Sequence, residues 1–264
     1  MTKTIQINKM SIELYESGDP SKQTLVFAHG LGASLIQWEG QFEYFKEFHV
    51  VAISLQGHGK SDKSNDVYSI EDYLDTYIEL FEVLSIKDCI WIGNSMGGVL
   101  GYAVMKSKPL LINQLITNGT TPKLMMPKIL LKMIYMMDKL LIDFIGFKGY
   151  VKFAANHVTQ YDMIKPKIFE MFRMATAQTI VVSHQVLGRY DYLEALNETS
   201  IPILIIKSPN DKDINRYLNK YNEIFELDHV TTVEFKDTGH ICNMERPDEY
   251  NKLVMKAIQG GAID

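Results

Sequence analysis

The ten residues 89–98, C-I-W-I-G-N-S-M-G-G, constrain this chain more than any other stretch. Four apolar residues in a row, 89–92, show no alternation and suit a parallel strand covered on both faces. The run enters Gly93, and Ser95 stands between glycines. Residues 96–105 have helical spacing, with Gly97, Gly98 and Gly101 on the side that must cross the strand closely. A strand, a tight turn and a helix built around G-x-S-x-G lift a serine hydroxyl above a sheet and aim the next helix's N-terminus at it. Ser95 is therefore a candidate nucleophile. The plainer alternative is a turn serine with no chemical role, so the partners matter.

Asp211 follows the apolar run 203–206, and His240 follows the strand-like 230–235 through Thr238 and Gly239. Serine, acid, histidine is one of several triad orders found on unrelated folds. With these residues in place, the chain resembles the α/β-hydrolase fold superfamily over nearly its whole length. The resemblance is carried by HGLGAS at 29–34, QGHGKSDK at 56–63, GNSMGG at 93–98, SPND ending at Asp211, and GHICNMERP at 239–247. It implies an α/β fold with a mostly parallel central sheet, helices on both faces and an inserted helical cap. Residues 1–120 and 200–264 would form the core, and 121–199 the cap. It also implies a catalytic triad of Ser95, Asp211 and His240, with the backbone N–H groups of Leu31 and Met96 as the oxyanion hole. Family spacing favours Asp211 over Asp213, which stays a competing acid. Asp237 is too near His240 along the chain to be preferred. Relatives commonly carry an acid and an arginine where this chain has Ser54 and Gln56, so that ion pair is missing here.

Elsewhere the pattern alternates between strands and helices. Residues 4–15 predict an antiparallel hairpin at a sheet edge; 25–28, 50–55 and 115–118 predict buried strands. Helices are expected over 35–45, capped by Ser34 with Trp38 inward, over 70–84, from Asp211 to about 225, and from about 245 to Gly260. His29 is expected to shape its turn rather than to catalyse, and His58 to be a loop residue.

From 121 to about 200 the alternation stops and the chain reads as helical. This interval holds eight of the 14 methionines: Met125, Met126, Met133, Met136, Met137, Met163, Met171 and Met174. Methionine adapts to irregular apolar shapes, which suits a pocket wall facing an acyl chain; ordinary packing of a helical subdomain is the competing expectation. In the helix starting near Pro127, Lys128, Lys132, Lys139 and Asp143 share about 60° of arc at 100° per residue. The rest of its circumference is largely apolar, so a second face must meet ligand, another helix, a partner subunit or transiently a lipid surface.

With 264 residues, 46% of them apolar, the chain can bury a large core around one sheet. A net charge of −5 with scattered lysines and arginines leaves no basic stripe for nucleic acid. Residues 1–8 lack the apolar core of a signal peptide, and no charge-free stretch is long enough to span a bilayer, so a cytoplasmic protein is expected. Cys89 and Cys242 do not suggest a disulfide framework, and no cluster has metal-ligand spacing. Neither a cofactor nor a metal is expected.

The expected activity is hydrolysis of short to medium acyl carboxylic esters through an acyl-enzyme, with a monoacylglycerol or another lipid-derived ester as one substrate class. A rival is carbon–carbon bond hydrolysis of vinylogous diketones, because the elbow with Asn94 is similar to that of those enzymes, with Arg173 or Arg189 as the candidate for the cap arginine that binds their substrate carboxylate. Ile241 replaces the tryptophan expected after their histidine. A further alternative is a hydrolase-fold sensor that binds a small ligand with little turnover. Oligomeric state is left open by the sequence.

Overall fold

The computed structural model describes residues 2–64 and 68–263, with the backbone alone described at 183 and 184. Strands β1 (Thr2–Ile7) and β2 (Met10–Ser17) form the expected hairpin. Its turn residues Asn8 and Lys9 take φ of 49° and 64°, the positive values a two-residue hairpin turn needs to follow strand twist. The long apolar runs become β3 (Thr24–Ala28), β4 (His49–Ser54) and β5 (Cys89–Asn94), every residue of which is buried. β6 (Ile112–Asn118) precedes the helical interval. That interval opens with β7 (Lys123–Met125) and contains β8 (Arg189–Asp191); β9 (Ile203–Lys207) and β10 (Val230–Glu234) then resume the parallel pattern.

Eight strands form one sheet in the order β1-β2-β4-β3-β5-β6-β9-β10. β2 runs antiparallel to both neighbours, and the remaining pairs are parallel. Crossovers must cover both faces of such a sheet. The helices are α1 (Glu39–Phe42), α2 (Ile70–Val83), α3 (Met96–Ser107), α4 (Lys128–His157), α5 (Lys165–Phe172), α6 (Ala177–Leu187), α7 (Leu193–Glu198), α8 (Lys212–Leu218), α9 (Cys242–Glu245) and α10 (Pro247–Ile258). One core layer packs α2 and α3 on the sheet through Tyr73, Tyr77, Leu80, Trp91 and Leu100. The other joins Phe27, Trp38, Phe42 and Phe45 to Tyr250 and Val254 of α10. α2 starts where a capping box places it: the Ser69 side chain accepts from the Asp72 N–H, and the Asp72 carboxylate accepts from the Ser69 N–H.

Several elements differ from expectation. Instead of one helix over 35–45, a 3-10 turn, Leu35–Trp38, leads into the four-residue α1. Gly40 lies against Pro247, 3.3 Å from the position a β-carbon would take, and a glycine mid-helix costs about 1 kcal/mol relative to alanine. After Asp211, α8 stops at Leu218 and 219–226 tighten into a 3-10 segment, with Tyr221 outside helical geometry. Interval 121–199 is not wholly helical: β7 and β8 pair antiparallel, with a Lys123–Asp191 ion pair at 2.5 Å. The ribbon satisfies backbone groups near the two ends of that interval. α4 is two helices joined at Gly146, whose φ of 71° is left-handed territory that a glycine adopts freely. Among the described residues, no helix is long and apolar enough to cross a membrane.

Parallel pairing of β3, β5, β6, β9 and β10 brings their carboxyl ends to one edge, where ligands bind in open α/β sheets. Ser95 follows β5 directly; Asp211 and His240 lie in the loops after β9 and β10.

Candidate active site

The turn at Ser95 has φ 52° and ψ −118°, outside the regions a residue with a β-carbon occupies readily. Close packing imposes it. A β-carbon at Gly97 would lie 2.0 Å from the Ala28 carbonyl oxygen, and one at Gly93 2.4 Å from that of Gly97. Helix α3 thus crosses β3 and β5 at backbone distance, as its glycines predict. The Trp91 indole N–H donates to the Gly97 carbonyl at 2.8 Å, so the buried ring is satisfied while it pins the turn. The Ser95 N–H donates to the Asn118 carbonyl at 2.9 Å, joining the elbow to the end of β6.

His240 Nδ1 lies 2.7 Å from Asp211 Oδ2. Asp211 is 9% exposed and His240 26%, so the pair is shielded while the ring still reaches the cavity. Burial pulls the imidazole pKa down, but the charge and hydrogen bond of Asp211 outweigh it and leave the ring above the usual histidine value of 6.5. Asp213 is exposed in the first turn of α8, and the carboxylate bonded to the ring is that of Asp211. Asp237 contributes its carbonyl, which accepts from the Tyr161 hydroxyl.

Ser95 and His240 line the same cavity, as do Leu31 and Met96. A β-carbon at Gly30 would sit 3.3 Å from the Ser95 β-carbon, so the backbone of the His29–Gly30 turn lies against the serine. His29 holds that turn: its Nδ1 bonds the Gly30 carbonyl at 2.7 Å and its Nε2 accepts from the Leu55 N–H at 3.0 Å. Burial drives its pKa down to about 4, which fixes it as a neutral structural imidazole. His58, also buried, is pushed down by burial and then by His29. Where the usual ion pair is missing, the Ser54 hydroxyl donates to Glu13 and Gln56 accepts from Thr76.

A relay of amides that the sequence did not single out connects these pieces. Gly30 N–H donates to Gln37 Oε1 at 3.0 Å, Gln37 Nε2 to Asn94 Oδ1 at 2.8 Å, and Asn94 Nδ2 to the His240 carbonyl at 2.8 Å. Asn243, Gln41 and Asn251 extend it into α10. The available signal was polar: Gln37 and Gln41 sit four apart on a face shared with Trp38 and Phe45, where apolar residues are expected. Glu245 adds a second tie, accepting from the Gly239 N–H and, at 2.6 Å, from the Thr159 hydroxyl just after α4. Burial raises its carboxyl pKa against those hydrogen bonds.

The cavity measures about 410 Å³. Leu131, Ile134, Val151, Phe172 and Ile180, on α4, α5 and α6, form much of its wall, and among the described residues no lysine, arginine, aspartate or glutamate lines it. The methionine-wall expectation is corrected here. Of the eight methionines, Met126 alone lines the cavity. Met171 is packed in the core, while Met125, Met133, Met136, Met137 and Met163 are exposed. Arg173 pairs with Glu170, and Arg189 donates to the Met126 carbonyl, so both guanidiniums are engaged outside the cavity lining. Cys89 and Cys242 are buried free thiols, and burial pushes Cys242 up to about 12. His184 lies outside the described side chains. No group of His, Cys, Asp and Glu among the described residues could hold a metal ion.

Sheet order, elbow and loop placement define the class: an α/β protein with hydrolase architecture. The chain belongs to the alpha/beta hydrolase family, whose model matches residues 25–253. It is 23% identical over 255 residues to 3-oxoadipate enol-lactonase 2 of Acinetobacter baylyi, covering 95% of this chain and 94% of that one. Over 122 residues, 45% of this chain and 46% of the other, it is 30% identical to (E)-2-((N-methylformamido)methylene)succinate hydrolase of the same organism. Among solved structures, the enol-lactonase from Burkholderia xenovorans superposes with a TM-score of 0.83 at 19% identity, covering 97% of this chain and all of that one. An esterase from Exiguobacterium antarcticum gives 0.85 at 16% identity, covering 98% and 100%.

Proposed function

We propose that this hydrolase cleaves neutral carboxylic esters of short to medium acyl length through an acyl-enzyme on Ser95. The observation that carries the reading is the 2.7 Å bond between His240 and Asp211 at a cavity whose wall also holds the strained Ser95 turn. A serine hydroxyl is a weak nucleophile near neutral pH. In the proposed cycle His240 removes the Ser95 proton as Oγ attacks the ester carbonyl, then delivers it to the departing alcohol. Asp211 holds the tautomer and stabilises the imidazolium. The N–H groups of Leu31 and Met96 bind the oxyanion, each worth typically about a hundredfold to a thousandfold in rate. Water, activated by the same imidazole, then releases the acid and restores the serine. The helices of 121–199 act as a cap that closes an apolar acyl site over this centre, and a cytoplasmic location fits two buried, unpaired thiols.

Cavity chemistry favours this reading over the rival. Oxoadipate and succinate, in the names of two relatives, are dicarboxylates. Here both candidate arginines bind elsewhere, so a substrate carboxylate in the apolar wall would be buried without a partner. A lactone is an internal ester, so the reaction class supported by the first relative is retained while its charge preference is not. The test compares nitrophenyl hexanoate with the nitrophenyl half-ester of adipate. Neutral substrate should win by about a hundredfold or more in kcat/KM, about 2.7 kcal/mol of unpaired-charge cost. Equal turnover of the half-ester would refute the neutral preference. No turnover across a series of acyl lengths would favour the sensor reading instead.

A further inference from the structure

The first half of α4 presents an apolar face that the protein leaves uncovered. At 100° per residue, Met136, Ile129, Leu140, Met133, Phe144 and Met137 fall in one arc of about 100°. All six are exposed, Phe144 by 88% and Ile129 by 70%. Isolated exposed hydrophobes are ordinary, but a contiguous stripe of six large ones marks an interaction surface. Along one edge of the stripe stand the exposed Lys128, Lys132 and Lys139, with Asp143 as the one acid among them. Leu131 on the opposite face of the same helix, and Ile134 on the flank beside it, line the cavity. One helix thus separates the substrate cavity from the exposed stripe.

We propose that this stripe docks α4 onto an anionic lipid bilayer surface, lying in the interfacial plane. Its apolar side chains match the head-group and acyl boundary, and three ammonium groups beside them match anionic head groups on a chain whose net charge is otherwise negative, −5 overall. A second copy is a poorer occupant. A two-fold contact would set this face against itself, and each copy brings three ammoniums and one carboxylate to it. Docking stands independently of the chemistry at Ser95; that it supplies lipid-derived esters to the cavity rests on the proposed esterase activity.

The experiment is co-sedimentation of the full-length chain carrying Ser95→Ala with phosphatidylcholine vesicles, alone or with phosphatidylglycerol at about one lipid in three. Because this variant turns nothing over, the outcome is separate from the esterase test. Binding is expected on the mixed vesicles and much less on phosphatidylcholine alone. The triple change Lys128→Gln, Lys132→Gln, Lys139→Gln should weaken partitioning about a hundredfold, about fivefold for each lysine. The double change Met137→Glu, Phe144→Glu should abolish it. Lys108→Gln, exposed beyond the far end of α3, should leave it unchanged. The lysine and apolar sets are independent, so failure of either to fold leaves the other decisive, and the unsubstituted lipid arms need neither. Equal binding with and without phosphatidylglycerol, or no binding to either vesicle, overturns the proposal. So does a dimer in solution that Met137→Glu, Phe144→Glu dissociates while vesicles recover no protein.

Discussion

Replacing Ser95 by alanine or by glycine removes the same hydroxyl but treats the backbone differently. At φ 52° and ψ −118° a residue with a β-carbon is held off its favoured basins, at a cost of about 1–3 kcal/mol. Alanine keeps that cost, whereas glycine adopts the conformation freely. Glycine also widens the unfolded ensemble, which returns about 0.4–1 kcal/mol to the unfolded side. The difference leaves Ser95→Gly more stable than Ser95→Ala by about 0.5–2 kcal/mol, the reverse of the usual order outside left-handed positions. For a chain of this size, at about 2 °C per kcal/mol, that is about 1–4 °C in Tm. Differential scanning calorimetry of the two variants side by side measures it, and both lack the proposed nucleophile, so the comparison is of stability alone. An alanine variant that melts at or above the glycine variant would show that the turn stores no strain and would remove the physical basis for the elbow.

Two further outcomes follow from the histidine pair. Asp211→Asn should lower kcat by on the order of 10⁴ with KM little changed, because an amide can hold the ring in the wrong tautomer; steady-state ester kinetics check it, and a loss under tenfold contradicts the assigned acid. The raised His240 pKa sets two pH effects of known sign. The proposed cycle needs the neutral ring, so kcat should fall as pH drops through a value above 6.5, and a profile flat down to pH 4 would contradict the proposed base. The charged pair's contribution to stability should be complete below pH 6.5 and lost as pH rises through the raised value, so His240→Gln should flatten the Tm-versus-pH curve there.

Much of this was legible because it depends on near neighbours in sequence. Unbroken runs such as 25–28 and 50–53 state that a strand is buried on both faces, and G-x-S-x-G states a close helix crossing that Gly97 confirms against Ala28. What was not legible depends on residues far apart. Gln37 and Asn243 are 206 positions apart, yet their side chains bond in the relay behind the His240 loop, and no local pattern announces that partnership. Similarly, methionines at 133, 136 and 137 read as apolar from sequence, but which side of α4 meets the body is set by Leu131, Ile134 and the helices packed below. In the short helix at 39–42, Gly40 lies against Pro247, about two hundred residues away, a close approach that no local pattern announces.

The central claim is that Ser95 becomes acylated, and a fluorophosphonate reporter followed by peptide mass spectrometry tests it directly. Labelling is expected on Ser95 alone, slowed severely by His240→Gln and absent in Ser95→Ala. Undiminished labelling of the Ser95→Ala chain, or a modified residue elsewhere, would contradict it.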